Sequence, residues 1–197
     1  MTSLWSLALV ASLASSPQAL TTSLFEEAAQ IKAPPATGAL SKADQASNQK
    51  AFAKLDTMID LNAFAASIMQ PHAKHFSKKD LKAIKGDFAE TVRLIGFPRA
   101  GDLRGKATIE ITGTQKVKGA TLVTVFADIP SEELEVELIF HWSNGQSPRV
   151  VDLSIDGSSL VTDYRNQFGR IIAKEGAKSL LEKIQKKLAT LRQKYGA

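Results

Sequence analysis

The sequence contains no cysteine. That absence removes disulfide frameworks, Cys-ligated zinc, iron–sulfur clusters and thiol nucleophiles. Histidine is nearly as scarce, with three in 197 residues, so a histidine-rich metal centre is not expected. Two Trp and two Tyr leave no interleaving of aromatic and basic residues of the kind that grips nucleic acid. The G-x-S-x-G nucleophile elbow and the phosphate-cradling glycine loop are both missing. Long apolar runs are missing too. The best candidate, Leu4 to Ala14, has eleven residues, and a bilayer core takes roughly twenty.

What is present is a globular composition, 44% hydrophobic and 23% charged. A chain of this length buries about 70% of its unfolded surface and needs no covalent or metal staple. The short apolar run followed by Ser15, Ser16, Pro17, Gln18 and Ala19 reads as a secretory leader. It predicts a signal peptide over 1–19, cleaved near Ala14 or Ala19, and a single domain over 20–197. The formal net charge of +5 is unevenly spread. From Tyr164 to Ala197 nine basic residues face two acidic ones, whereas Asp128 to Pro148 holds five acidic residues and no Lys or Arg. Such a dipolar chain suits an anionic partner on its basic side, and a solvated helix face explains the same pattern.

Periodicity divides the chain into three parts. The first is helical. Leu24 to Ile31 makes a short helix, and Pro34, Pro35 and Gly38 make a loop of Lys32 to Leu40. Ser41 starts a helix and Asp60 caps the next, which carries Leu61, Phe64, Ala65 and Ile68. Pro71 breaks it. Ser77 with Asp80 resembles a capping box. It opens a helix with Leu81, Ile84, Phe88, Val92 and Ile95 on one stripe, expected to end at Gly96 and Pro98.

The period then falls from 3.6 to 2. Ala107, Ile109 and Ile111 alternate with polar residues up to a turn at Gly113, and Leu122 to Ala127 is a β-branched run. Leu134, Val136, Leu138, Phe140 and Trp142 alternate with Glu135, Glu137, Ile139 and His141. Asn144-Gly145 is a hairpin signal, and Arg149 to Ile155 returns as a fourth strand. Asp156 and Gly157 end the sheet. Leu160, Val161, Tyr164, Phe168, Ile171 and Ile172 then share a helical face, Glu175-Gly176 interrupts it, and a last amphipathic helix carries Leu180, Leu181, Ile184, Leu188 and Leu191. Four strands joined by short turns, with helices from both ends of the chain, predict an α+β domain built on a four-stranded antiparallel meander.

Catalytic parts are few. His72 and His75 have a metal-like spacing of three without a convincing third ligand, so no metal and no cofactor are expected. His141 shares a strand face with Glu135 and Glu137 and points to solvent. Ser158 follows a strand-to-helix turn and suits a helix cap better than a nucleophile. The acidic pairs Glu132–Glu133 and Glu135–Glu137 fall on a turn and on an exposed strand face. The apolar stripes are those of a solid core, and equally those of a core split around a greasy ligand.

The stretch VVDLSIDGSSLVTDYRNQFGRIIAKEGAKSLLEKIQKKL, from Val150 to Leu188, resembles the C-terminal signature of the MlaC family of toluene-tolerance auxiliary proteins. The residues that carry the likeness are Asp152, Gly157, Ser159, Leu160, Val161, Tyr164, Arg165, Phe168, Gly176 and Leu180-Leu181. IDLNAFAASIM and FSKKDLKAIKGDFAETV resemble the family's paired helices more loosely; around His72, and at GFPRAGD, the chain departs from the family pattern. The resemblance implies a periplasmic phospholipid carrier of the system that keeps the outer membrane's lipid asymmetry. Such carriers shuttle between an outer-membrane lipoprotein–porin complex and an inner-membrane MCE-domain ABC transporter. It implies a curved sheet covered by helices, with acyl chains in an apolar cavity between them.

Two chains of about sixteen carbons would lose on the order of 25 kcal/mol on moving from bilayer to water, at about 0.8 kcal/mol per methylene. A carrier therefore needs a dry, wholly apolar slot larger than a drug-sized pocket, with the headgroup at its mouth. Strand alternation and helical stripe nominate Val123, Val125, Val136, Leu138, Phe140, Leu153, Val161, Tyr164 and Phe168 as its lining. Arg165, Arg170 and Lys174 are candidates to stand near a phosphate. The alternatives are a small-molecule acid–base enzyme on a cone-shaped α+β fold, with a carboxylate or histidine inside the cavity, and a non-catalytic adaptor with a solid core that binds protein through its basic last helix.

Overall fold

A computed structural model describes residues 16–35 and 40–195. Most of the expected leader, 1–15, and Gly38 of the expected loop lie outside the described residues.

Among the described residues six α-helices and five strands follow one another as α1 (Pro17–Ala28), α2 (Lys42–Met58), α3 (Leu61–Met69), α4 (Lys78–Lys106), β1 (Thr108–Val117), β2 (Ala120–Ile129), β3 (Leu134–Ser143), β4 (Val150–Ile155), β5 (Ser158–Ser159), α5 (Leu160–Glu175) and α6 (Ala177–Tyr195). Ser41, Asp60 and Ser77 each accept a hydrogen bond from the backbone N–H three residues on, which satisfies one orphan donor of the helix each begins. The cap of α5 is Ser159 rather than Ser158. Ser158 belongs to the two-residue strand β5 and donates to Asp163 Oδ2. Helix α1 begins earlier and ends earlier than the expected span of Leu24 to Ile31, because Ser16 caps it and Pro17, whose missing N–H is an orphan position in any case, takes its first turn.

The sheet is an antiparallel meander in the order β1-β2-β3-β4-β5. It has one strand more than expected. Asp156 and Gly157, both at positive φ, form a tight two-residue turn into β5 instead of closing the sheet. Gly113 does not turn the chain. It sits inside β1 where the register slips by one residue, and the β1–β2 turn comes at Gly119, with φ +88°. Helix α4 also outruns its expected end, passing through Pro98 to Lys106. A proline inside a helix removes one intrahelical bond. Burial of Leu94, Phe97, Pro98 and Gly101 on the same helix outweighs that loss.

The helices cover one sheet face and enclose two cores. The first lies against the sheet, where α1, α2 and the second half of α4 meet Val123, Val125, Leu138, Phe140 and Trp142. The second lies beyond the sheet among α3, the first half of α4, α5 and α6, and holds Phe64, Ile68, Ile84, Phe88, Phe168 and Leu180. Helix α4, 29 residues long, runs through both.

Candidate functional site

A cavity of about 310 Å3 opens between the two cores. Five groups of elements line it. The sheet contributes Leu138, Phe140, Val150, Val151, Leu153 and Ile155. Helix α1 contributes Leu24 and Phe25, and the α2–α3 region contributes Leu55, Ile59, Leu61 and Phe64. Helix α4 supplies the wall from Val92 to Leu103. The start of α5 supplies Leu160 and Tyr164. Each core brings an aromatic pair to the cavity: Phe25 packs edge-on against Phe140 at 5.6 Å on the sheet side, and Phe64 against Tyr164 at 6.4 Å on the helical side.

Of the nine residues nominated from the sequence, Leu138, Phe140, Leu153 and Tyr164 line this cavity. The other five do not. Val123 and Val125 point to the helix side of the sheet as alternation requires, but both are fully buried in the sheet-side core. Val136 packs at the margin of that core, and Val161 and Phe168 belong to the helical core. Sequence reasoning misses a wall as large as the sheet's, the Val92–Leu103 part of α4, because Gly96 and Pro98 read as the end of that helix. The signal was a stripe at helical spacing, Val92, Ile95, Gly96, Arg99 and Leu103.

The cavity also differs from expectation in size and polarity. At about 310 Å3 it stands at the lower end of the roughly 300–1,000 Å3 typical of small-molecule sites. Four bulky rings, Phe25, Phe64, Phe140 and Tyr164, stand in its lining. Nor is it wholly apolar, since Arg99, Asp152 and the Tyr164 phenol reach it.

Asp152 explains part of the C-terminal signature. Its Oδ1 accepts from the Leu153 and Val161 backbone N–H groups at 2.8 and 3.1 Å, and its Oδ2 accepts from Ser159 Oγ at 2.6 Å. These bonds fasten β4 to the first turn of α5, where a carboxylate also suits the helix dipole. They leave Asp152 engaged on both oxygens, so the one carboxylate on the cavity wall is a fastening.

The cationic candidates sit elsewhere. Arg165 donates from Nη2 to the Ser67 carbonyl at 2.8 Å and ties α5 to α3. Arg170 and Lys174 are exposed on α5, and none of the three lines the cavity. The His72–His75 pair lies on a short 3-10 helix, Gln70–His75, where His72 Nε2–H donates to the Arg165 carbonyl at 2.9 Å. His141 is half-buried rather than freely solvated, with Nε2 3.0 Å from Ser154 Oγ. Among the described residues no cluster of three or more His, Cys, Asp or Glu could hold a metal ion. No described helix is long and apolar enough to cross a membrane.

Comparison with known proteins gives matches of two kinds. A family model described as MlaC protein matches residues 30–186. A solved structure, titled as a phospholipid-binding protein from Ralstonia solanacearum in complex with a phospholipid, superposes with a TM-score of 0.65. The alignment covers 90% of this chain and 99% of that one at 16% identity, a level that establishes a shared fold. No curated protein sequence matches the chain.

Proposed function

The chain belongs to the MlaC family, and from that premise we propose that it binds phospholipid and shuttles it across the periplasm. The partners in this reading are an outer-membrane lipoprotein complex, which the carrier meets at one end of its path, and an inner-membrane ABC transporter with MCE domains at the other. The observation that carries the proposal is the cavity between the two cores. At about 310 Å3 it is smaller than two acyl chains need, and so must widen at Phe25, Phe64, Phe140 and Tyr164 to load. A chain of this size ordinarily interdigitates its side chains to leave few voids larger than a water molecule. Here two layers rich in Leu, Ile, Val and Phe stand apart instead, and the space between them is apolar on nearly every side. The Ralstonia solanacearum protein of the same fold was solved in complex with a phospholipid.

Binding rather than catalysis is the reading that the wall favours. Its ionisable groups are Arg99, Asp152 and Tyr164, and Asp152 already accepts three hydrogen bonds. Three of the roughly four lone-pair positions of that carboxylate are thus committed to the fold, which makes it a poor general base. Export fits the leader over 1–19. Cleavage near Ala14 leaves α1 whole, whereas cleavage after Ala19 removes its first turn together with Pro17, whose carbonyl accepts from Thr21 Oγ1 at 2.8 Å.

The deciding experiment is mass spectrometry of the organic extract of protein purified from the envelope of a host that exports it. Phospholipid is expected at a fixed ratio to protein. A lipid-free extract from fully folded protein would sink the proposal.

A further inference from the structure

Helix α4 presents to the cavity a stripe of Val92, Ile95, Gly96, Arg99 and Leu103. Four of the five are residues that an apolar slot calls for. The fifth is an arginine, the one basic side chain in the cavity lining among the described residues. Four other arginines are engaged. Arg93 pairs with Asp56, Arg149 with Asp60 and Arg192 with Glu90, and Arg165 donates to the Ser67 carbonyl. Arg99 is exposed, and among the described residues it takes part in no ion pair. It therefore stands at the rim of the cavity, where an apolar wall gives way to water.

We propose that Arg99 is the residue that receives the anionic head of the bound lipid, its guanidinium fork meeting phosphate oxygens while the acyl part occupies the slot behind it. The argument is one of chemistry and place. Guanidinium offers five N–H donors in a planar fork that matches phosphate, and it stays charged at any pH of interest. Two neighbours set the field that an incoming anion meets. Asp152, on the sheet wall, accepts from donors of β4, β5 and α5 on its two oxygens. Asp102, about one turn further along α4, is the acidic group that the anion must clear. Tyr195, half-buried at the end of α6, feels both residues of this helix: burial first, then Asp102, raises its phenol, and Arg99 acts against them. The cations nominated from the sequence, Arg165, Arg170 and Lys174, stand away from the cavity lining and are not part of this contact.

This inference rests on the lipid-binding reading and sharpens it to one headgroup contact. Its test is a ratio. Fluorescent phosphatidylglycerol and diacylglycerol with identical acyl chains are titrated into delipidated protein, and the preference for the phosphorylated lipid is read from the two dissociation constants. Arg99→Ala is expected to lower that preference by about three- to tenfold, the size of a charge-assisted contact partly screened by solvent. Arg99→Lys should restore part of it, since the charge returns without the fork. Arg104→Ala removes an equally exposed charge outside the lining and should not change the ratio.

An unchanged ratio in Arg99→Ala overturns the assignment, as does an equal fall in Arg104→Ala, which would mark general electrostatics. Inorganic phosphate forms the second arm. If it binds wild type but not Arg99→Ala, and does not compete with phosphatidylglycerol, Arg99 holds a free anion and the headgroup assignment fails. Wild type that takes up neither lipid would instead defeat the lipid-binding reading itself.

Discussion

Thr21 shows how much of this fold can depend on one hydroxyl. Trp142 is fully buried under the sheet, and its indole N–H finds a partner only because Thr21 Oγ1 stands 3.0 Å away on α1. The hydroxyl donates its own hydrogen bond to the Pro17 carbonyl, so a single oxygen joins the sheet to the first turn of α1. Thr21→Val keeps the volume and removes the acceptor. Leaving a buried donor unpaired costs about 1–3 kcal/mol, and the urea midpoint should fall accordingly with little change in slope. Gly96 makes the opposite case. A Cβ built there meets nothing within 4 Å, and the residue lines the cavity. Gly96→Leu should therefore place a side chain in open space and improve helix propensity by up to about 1 kcal/mol. The expected result separates two quantities that usually move together: thermal stability is kept or raised while lipid retained per protein drops. Full retention would mean that the ligand sits elsewhere.

At the scale of elements, α4 decides most of the site and is also where sequence reading failed. Its start was legible because Ser77 and Asp80 form a local device, complete within four residues. Its end was not. Gly96 and Pro98 are unfavourable in a helix taken alone, and only the packing of Phe97, Pro98 and Gly101 against other elements shows that the helix continues. The strands gave up their inward faces by alternation, yet alternation tells which way a side chain points and not whether space or another side chain waits there. Val125 and Leu138 are register partners on the same inner face, and only Leu138 reaches the cavity.

The seam between α1 and α4 supplies a test of this packing. A Cβ at Gly101 would lie 2.6 Å from the Ala28 carbonyl oxygen. Backbone cannot yield as a side-chain tip does, so Gly101→Ala should force the helices apart at a cost of about 1–3 kcal/mol. Gly86, on the same helix, faces open space. Gly86→Ala is expected to stabilise by up to about 1 kcal/mol, because only the backbone entropy term remains. Equal responses of the two variants in thermal melts would show that α1 does not press on α4 at Gly101.

For the whole molecule, the proposed function makes stability depend on cargo, because a cavity separates the two cores. Each core has its own buried set and shares α4 with the other. The walls facing the cavity lack packing partners on that side and lose the dispersion contacts a solid core would supply. Lipid that fills the space restores those contacts and binds the folded state alone. At a free concentration of one hundred times the dissociation constant, such a ligand adds about 2.7 kcal/mol, which for a chain of this size raises the melting temperature by about 5–10 °C. Stripping the lipid with detergent and gel filtration should lower the midpoint by that amount, and re-addition from vesicles should restore it. Thr21→Val should fall by the same increment with lipid and without, since its hydroxyl does not line the cavity. Gly96→Leu should melt at nearly the same temperature in both states, because its side chain already occupies part of the room the cargo needs. A Gly96→Leu protein that gained as much from lipid as wild type would show that cargo and cavity are not coupled through this wall.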